Sequence, residues 1–553
     1  MGVLPGIIQL LSIIVIALLL VVPAGNYLAA VCLKKKSRLD MLLQPLEKAI
    51  LYGTGAYSGR NMTWKEYLVS LLIFNLSMWI VAVVALSAMG MSPDLAFHTA
   101  SSFTANTDQQ HYSGERDVSP AGQMLLTALM FLSSATGLAS AFAFVRAFIP
   151  SEGGPGNYFE DLVRILFRIL LPGSILVSIV FVACGVPQTP GGVLEAHGLS
   201  GDVQTIPLGP VASLESIKYL GTNGGGYYNA NSAHPFENPS PLTNAMQMIL
   251  TMLIPFSMIY AFGVMIGSRR QGIILIASVL SIFCLAVLMI VAGAASSPYL
   301  PDDIIYTSGY LEGKEQRFTA FESVFFVAVN TYVQSGGTPC SISSMMPSGV
   351  FGAFVGMLLG CVPGGIGVGL EMLILYVIVS VFVAGLMAGR TPVFLGKKIE
   401  PREMKLVVSV IILLPMIILI SSAATVAIMP VNELTLNDGT RGFSELVYEF
   451  ISASANNGSG MGGLTSGTLY FNVISGILIL IGRYVPIAIF LSIAGSISTK
   501  PTITDPRGSL RTESLTFAVF LSSILIVNCA LSFLPLLVLG PLAEVISTGV
   551  RLW

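Results

Sequence analysis

The sequence predicts an all-α membrane protein with ten transmembrane helices. Three observations lead to this fold class: the composition, ten long apolar segments, and four polar motifs that recur between them. Of the 553 residues, 54% are hydrophobic and 10% are charged, whereas soluble domains carry roughly 25% charged residues. The mean hydropathy of +0.80 is that of an integral membrane protein. With a net charge of -2 and no basic aromatic patch, the chain is not expected to bind nucleic acid; its expected surroundings are membrane lipid.

Apolar segments near the ~20 residues that a membrane-spanning helix needs occur at ten places. Their approximate bounds are 6–31, 66–90, 121–149, 163–185, 244–268, 271–295, 350–389, 406–430, 469–497 and 514–539. The segment 350–389 is exceptional, because a straight helix at ~1.5 Å per residue would reach ~60 Å across a ~30 Å hydrocarbon core. It predicts either two spans or one broken span.

The positions of Lys and Arg favour the broken span. With the N-terminus outside and one pass at 350–389, most of the 27 Lys and Arg residues fall in loops on the inner side. Two passes would place the basic segment 390–405 outside, against the positive-inside rule. Because Lys34, Lys35 and Lys36 follow the first apolar segment and no basic residue precedes it, we expect an N-out anchor rather than a cleaved signal peptide.

Four polar motifs lie between these spans, all on the predicted outer side. They are rich in Asn, Thr, Ser and Gly, and we number them polar loops 1 to 4: 104–110, 221–226, 332–337 and 454–460. This recurrence predicts four span–pore-loop–span repeats with pseudo-fourfold symmetry, plus one extra span at each end. The predicted units are an N-terminal span and cytoplasmic loop at 1–65, pore repeats at 66–149, 163–268, 271–389 and 404–497, and a C-terminal loop and span at 498–553.

A short helix is predicted before each polar loop. Start signals, namely a capping Ser, a Pro at the first position or an acid in the first turn, occur at Ser92-Pro93-Asp94, Pro210, Glu322 and Ser444-Glu445. Acids at these N-termini suit the helix dipole, so the negative C-terminal ends would point toward a common axis.

The polar loops are suited to binding a dehydrated cation. Irregular backbone at membrane depth is tolerated only inside protein or along a wet cavity, and inward-facing carbonyls can replace the water shell of an ion. One such motif alone would favour an ordinary exposed turn. Four of them on one side, each behind a helix, favour a potassium-selective pore that presents backbone carbonyls and side-chain amides.

Four segments carry a family resemblance. They are 220–239 (LGTNGGGYYNANSAHPFENP), 110–115 (QHYSGE), 390–398 (RTPVFLGKK) and 455–459 (ANNGS). Together with the ten-span layout, they make the chain resemble the potassium-binding subunits of Kdp-type potassium-transporting ATPases, in the superfamily of potassium transporters. The similarity extends from the first span to the last.

The resemblance implies which residues form a potassium filter. These are Asn106, Thr107 and Gln110 in polar loop 1; Thr222, Asn223 and Gly224 in polar loop 2; Ser335 and Gly336 in polar loop 3; and Asn456, Asn457 and Gly458 in polar loop 4. Polar loop 3 departs from the Thr- or Ser-rich run usual in the family, so its register is not fixed by the sequence.

The resemblance also implies a non-catalytic, channel-like subunit with the potassium ion as cargo. Its partners would be a catalytic P-type ATPase subunit, which receives the ion through an intramembrane tunnel, and two smaller subunits, in a prokaryotic plasma membrane. The sequence contains neither an Asp-Lys-Thr-Gly stretch nor a G-x-x-x-x-G-K loop, so ATP hydrolysis is not expected of this chain. The alternatives are a self-sufficient Trk/Ktr-like channel and a sodium-coupled secondary transporter, which would show inverted repeats.

Two further features are predicted below the filter. Arg483 lies inside the ninth span, where an arginine in lipid costs at least ~2.5 kcal/mol, so it either shapes ion exit or locks two helices together. Gly364, Gly365, Gly367 and Gly369 break the seventh span and form either a flexible loop that blocks inward leakage or a packing notch. Members of this family commonly carry a Glu near the position of Cys361, and because this chain departs from that pattern, the role of that acid cannot be assigned here. Glu371 is an acid inside the predicted span and is therefore a candidate functional residue.

Overall fold

The computed structural model describes residues 3–36, 40–56, 60–149, 154–199, 201–292, 312–503 and 511–548. Within these ranges, ten helices are long and apolar enough to cross a membrane. The predicted all-α fold class with ten spans is confirmed. Parts of the predicted N-terminal unit, of the second and third pore repeats and of the C-terminal unit lie outside the described residues.

The helices account for most of the described chain. In chain order they are α1 (Val3–Cys32), α2 (Asp40–Gly53), α3 (Trp64–Ala88), α4 (Pro93–Thr104), α5 (Gly114–Asp117), α6 (Pro120–Arg146), α7 (Tyr158–Ile165), α8 (Leu171–Ala183), α9 (Val211–Leu220), α10 (Pro241–Met265), α11 (Arg269–Ala292), α12 (Ala320–Val333), α13 (Pro347–Leu359), α14 (Val368–Met387), α15 (Pro401–Ile428), α16 (Val431–Leu434), α17 (Gly439–Ser454), α18 (Leu469–Ser498), α19 (Leu515–Leu537) and α20 (Ala543–Thr548). A π-helical turn, Leu166–Leu170, joins α7 to α8, and a second, Val538–Leu542, joins α19 to α20.

Two small antiparallel β-hairpins lie in loops between the helices. Strands β1 (Val193–His197) and β2 (Val203–Pro207) pair before α9, with Val193 opposite Pro207. Strands β3 (Val393–Phe394) and β4 (Lys397–Lys398) pair in the basic segment that precedes α15. Neither hairpin was predicted, because the segments are short and lie in loops rather than in apolar runs.

Four short helices, α4, α9, α12 and α17, precede the polar loops, and we call them the pore helices. The start of α4 is as predicted, with Ser92 at the N-cap and Pro93 at the first position. Helix α12 carries a capping box formed by Thr319 and Glu322.

The predicted start of α17 at Ser444-Glu445 is wrong, since the helix begins at Gly439. Glu445 does not cap the helix. Its carboxylate instead accepts hydrogen bonds from Leu436 N at 3.1 Å and Asn437 Nδ2 at 2.6 Å. It therefore ties the preceding loop to the side of the helix.

The seventh span is interrupted between α13 and α14, at residues 360–367. Gly360, Gly364 and Gly367 in this segment have positive φ values of 62°, 75° and 78°, a region that glycine enters without steric cost. The segment 350–389 is thus not one continuous helix.

The inner helices are buried far more completely than the outer ones. In the most apolar windows of α6 and α10, 83% and 78% of residues are buried, against 22% in α1 and in α3. Small residues on α6, such as Ser133 and Ser134, are fully buried and face the polar loops. The centre of the bundle is therefore where polar chemistry is enclosed.

Candidate functional site

A residue with positive φ follows the end of each pore helix within two positions and sets a common register for the four polar loops. These residues are Asn106, Thr222, Gln334 and Asn456, with φ values of 62°, 46°, 57° and 55°. Positive φ is uncommon outside glycine, so its recurrence marks the same turn in each repeat. Two residues after these positions come Asp108, Gly224, Gly336 and Gly458. The structure thereby fixes the register of polar loop 3, which the sequence left open.

The four polar loops meet at one place. A Cβ built on Gly224 would lie 2.5 Å from Thr107 O and 3.0 Å from Gly336 Cα. A Cβ on Gly336 would lie 2.8 Å from the carbonyl carbon of Gly458, and one on Gly458 would lie 1.9 Å from Thr107 O. Residues from all four repeats are therefore in contact, at distances that leave no room for a side chain on these glycines.

Hydrogen bonds join polar loop 1 to polar loop 2 through Asn106. Its Nδ2 donates to Gly221 O at 3.1 Å and to Thr222 O at 3.2 Å. Its Oδ1 accepts from Asn223 Nδ2 at 3.0 Å and also from the hydroxyl of Ser134 on α6 at 2.8 Å. A buried amide satisfied on both sides holds the two loops in a single arrangement.

The remaining neighbours are joined in the same way. Ser335 Oγ in polar loop 3 donates to Asn223 O in polar loop 2 at 2.7 Å. Asn457 Nδ2 in polar loop 4 donates at 3.1 Å to the carbonyl oxygen of Asn330, on the pore helix before polar loop 3. Asn456 Nδ2 donates to Thr107 Oγ1 in polar loop 1 at 2.8 Å. The four repeats thus form a closed hydrogen-bonded ring.

The predicted filter amides have protein partners. Gln110 Nε2 donates to Gly226 O at 3.0 Å, and its Oε1 accepts from Gly226 N at 3.0 Å. Asn457 Oδ1 accepts from Ser459 N at 3.0 Å. The side-chain amides of Gln110 and Asn457, which were expected to face an ion, therefore hold the ring together.

A buried cluster of charged side chains supports polar loop 2, and the sequence analysis did not predict this cluster. Lys218 Nζ lies 3.1 Å from Glu215 Oε2 and 3.0 Å from Glu237 Oε2, with all three side chains excluded from solvent. It also donates to Asn231 Oδ1 at 2.7 Å, while Asn231 Nδ2 donates to Gly225 O. The sequence feature that could have predicted this cluster is the spacing of Glu215 and Lys218, three residues apart on a short pore helix.

A second buried cluster supports polar loop 1 from the side of α17. Glu449 Oε2 accepts from Gln109 Nε2 at 2.9 Å, and Glu449 Oε1 lies 3.0 Å from His111 Nε2. The His111 ring stacks on His98 at 3.8 Å between centroids. The dispersed histidines gave no sequence signal for this contact.

Cavities lie on both sides of the ring. The first, a vestibule, is lined by residues of the ring and residues that follow it, including Gln110, Gly225, Gly336 and Gly458. On the short helix α5 beside polar loop 1, the hydrogen bond from Arg116 lowers the pKa of the Asp117 carboxyl. This acid therefore stays charged at neutral pH.

The second cavity lies on the opposite side of the ring and contains Arg483. Its lining includes Asn106, Gln334 and Asn456, which begin the polar loops, as well as Gly365. The Arg483 side chain is buried, and its Nη2 donates to Ser133 O at 3.3 Å. Both sequence interpretations of Arg483 have a structural counterpart, because it lines the cavity and also contacts α6.

The glycine-rich break lies directly against the ring. Ile366 N donates to Thr222 Oγ1 at 2.9 Å, and Gly364 N donates to Tyr332 O at 3.0 Å. A Cβ on Gly367 would lie 2.1 Å from Gly137 O, whereas one on Gly369 would lie 2.3 Å from Pro363 O. The glycines therefore allow close packing inside the protein.

Glu371 is buried one turn into α14. Its Oε1 accepts from Ser140 Oγ at 2.7 Å. Within the described part of the chain, Oε2 has no hydrogen-bond partner.

Comparison with protein family models shows to which family the chain belongs. Residues 11–546 match the family model described as the potassium-transporting ATPase A subunit. The chain belongs to this family. Because the match covers nearly the whole chain, the family resemblance inferred from the four sequence segments is confirmed.

Curated relatives agree over their full length. The chain is 40% identical to the potassium-transporting ATPase potassium-binding subunit of Geobacillus kaustophilus, over 98% of this chain and 99% of the relative. It is 39% identical to the protein of the same name from Caldanaerobacter subterraneus subsp. tengcongensis, with the same coverage.

Among solved structures, the fold is similar to that of the potassium transporter TrkH from Vibrio parahaemolyticus. The TM-score is 0.52 at 15% identity, covering 86% of this chain and 96% of the other. At this identity the likeness concerns the fold alone.

Proposed function

We propose that this chain is the potassium-selective, channel-like subunit of an ATP-driven potassium uptake pump, with the ring of polar loops as its filter. The observation that carries the proposal is the closed ring, in which Thr107, Gly224, Gly336 and Gly458 come into contact between two cavities. The membership of the potassium-transporting ATPase A subunit family supports it.

Electrostatics of the ring favour a cation. Four pore helices end at the ring, and their C-terminal ends carry partial negative charge. With the amides of Asn106 and Asn457 bound to protein, backbone carbonyl dipoles supply the ligands. Such dipoles replace the hydration shell of potassium, and their number and field discriminate against sodium.

The vestibule would face the outside of a prokaryotic plasma membrane, with the N-terminus of α1 also outside. The bias of Lys and Arg toward the opposite loops, including the basic segment that carries β3 and β4, supports this orientation. Potassium would then enter the filter from the vestibule.

Below the filter, the cavity that holds Arg483 would receive the ion, and the glycine-rich segment 360–367 would control its departure. From there the ion would pass to a catalytic P-type ATPase subunit, which hydrolyses ATP, with two smaller subunits completing the complex. Curated relatives named as potassium-binding subunits of such an ATPase support this division of labour.

The filter placement is tested by Gly224→Asp in the assembled complex. Because a Cβ at this position would lie 2.5 Å from Thr107 O, the variant should lose apparent potassium affinity and sodium rejection in potassium-stimulated ATP hydrolysis. Gly191→Asp adds the same carboxylate at an exposed position before β1 and should behave as the unaltered protein. Intact affinity and selectivity in Gly224→Asp would refute the placement.

The competing function is a self-sufficient, Trk/Ktr-like potassium channel, since a fourfold pore would serve either function. Affinity purification from a cell that also expresses the proposed partner subunits separates the two. A stable complex with a P-type ATPase supports the pump subunit, whereas a homodimer that conducts potassium without ATP supports the channel.

A further inference from the structure

Asp108 occupies the filter position that the other three repeats fill with glycine. It follows the positive-φ residue Asn106 by two positions, as Gly224, Gly336 and Gly458 follow theirs. One quarter of the ring therefore carries a carboxylate where the rest have no side chain.

The Asp108 carboxylate is enclosed and only partly satisfied. The residue is 0% exposed, and Oδ2 accepts from Gly224 N at 3.3 Å. The Asn223 side chain also interacts with the carboxylate, and its Nδ2 donates to Asn106 Oδ1 at 3.0 Å. Among the described residues, none donates a hydrogen bond to Oδ1. A buried polar atom without a protein partner is available to a ligand.

No protein cation of the described chain forms an ion pair with Asp108. Lys218 and Arg483 are the basic groups that act on it through space. Lys218 is held by Glu215 and Glu237 at about 3 Å, and Arg483 donates to Ser133 O. Since an unpaired buried charge is strongly unfavourable, this carboxyl group is either protonated or paired with a cation from outside the chain.

We propose that Asp108 is a specificity-determining ligand of the filter, where its carboxylate adds one fixed negative charge to a ring of neutral carbonyls. This inference rests on the proposed potassium filter and deepens it. The added charge raises the affinity for potassium, and it raises the affinity for a divalent ion of similar size, such as barium, more steeply. The reason is that the Coulomb energy doubles with the charge of the ion, so the corresponding change in affinity is squared.

The test is Asp108→Asn in the assembled complex, measured as potassium-stimulated ATP hydrolysis and its inhibition by Ba²⁺. The substitution keeps the shape and removes the charge. The apparent potassium affinity should fall about tenfold and the Ba²⁺ affinity about 100-fold. Asp117→Asn removes an exposed carboxylate that pairs with Arg116 outside the ring, and it should change neither value.

Equal or smaller loss for Ba²⁺ than for potassium would overturn the proposal, as would unchanged affinities. In those outcomes a wild-type complex that still responds to potassium leaves the proposed function standing, whereas a wild-type complex indifferent to potassium refutes the function itself. If Asp108→Asn does not assemble, Asp108→Ser is judged by the same criteria. If neither assembles, the wild-type complex decides: Ba²⁺ must compete at concentrations no higher than those of potassium, and weaker competition overturns the proposal.

Discussion

The ring of polar loops and the glycine-rich segment 360–367 lie against each other, yet they are held in different ways. Side-chain hydrogen bonds link every neighbouring pair of repeats in the ring. Two buried polar clusters, around Lys218 and around Glu449, contact polar loops 2 and 1. Segment 360–367 contacts the ring through backbone donors such as Ile366 N and Gly364 N, and three of its residues are glycines with positive φ.

This difference indicates a division of tasks. Because several buried hydrogen bonds hold each polar loop, the ring keeps its oxygens at fixed distances, as selection between similar ions requires. A segment rich in glycine and fixed by few side chains can adopt a second arrangement at lower cost. Changes in the ring should therefore alter affinity, and changes in segment 360–367 should alter rate.

The largest effect is expected for Gly458→Ala. The new Cβ would overlap Thr107 O at 1.9 Å, in a residue with φ of 95°, and overpacking of this kind costs roughly 1–3 kcal/mol. The apparent potassium affinity in ATP hydrolysis by the complex should fall about 100-fold. Gly460→Ala, with open space around its position, is the matched control and should keep the affinity; an unaffected Gly458→Ala would break the comparison.

Asn106→Ala should follow. It removes the donor to Gly221 and Thr222 and the acceptor for Asn223, and leaving buried partners unsatisfied costs about 1–3 kcal/mol. We expect a loss of roughly tenfold or more in potassium affinity, measured by isothermal titration on the purified complex. Asn26→Ala removes an amide bonded only within its own helix, to Val22 O, and its affinity should match the wild type. An equal loss in both variants would contradict a special role for the ring.

Gly367→Ala should separate rate from affinity. Its Cβ would lie 2.1 Å from Gly137 O, whereas a Cβ on Gly365 meets its first atom at 3.5 Å. Gly367→Ala should lower the maximal potassium-stimulated rate about tenfold by obstructing segment 360–367, with the apparent affinity retained, and Gly365→Ala should leave both near wild type. A loss of affinity in Gly367→Ala without a loss of rate would contradict the division of tasks between the ring and segment 360–367.

Arg483→Ala should give the smallest effect. The side chain lines the cavity below the ring and donates to Ser133 O at 3.3 Å, so its removal changes the electric field mainly along the exit path and leaves the hydrogen bonds between the four polar loops in place. We expect a severalfold change in transport rate at unchanged affinity, on the order of 1 kcal/mol. Arg116→Ala, which removes an exposed arginine outside the cavity, should have no effect. Unchanged potassium-stimulated transport in Arg483→Ala would exclude it from the mechanism.

Much of this arrangement was predictable from local sequence. Hydropathy located the ten spans within a few residues, because span length is set by the bilayer and not by neighbours. The start of α4 followed from Ser92 and Pro93. The start of α17 did not, since Glu445 bonds to Leu436 and Asn437, a contact that depends on how the preceding loop folds back.

Other features required the assembled bundle. The role of Asn106 as a brace depends on partners 115 and 116 residues away. The place of Asp108 in the ring depends on the positive-φ residues of all four repeats. The pairing of His111 with Glu449 spans 338 residues. No local pattern encodes such distant contacts.

The amino-acid sequence by itself determined the membrane class, the number of spans, the fourfold recurrence of polar loops and the family. Each of these follows from apolar length, charge distribution or short motifs, which act locally. The tertiary structure decided which oxygens remain available and which side chains hold them, and it alone placed the carboxylate of Asp108 among three glycines. The physical reason is that hydrogen-bond satisfaction in a buried ring is a property of all four repeats together.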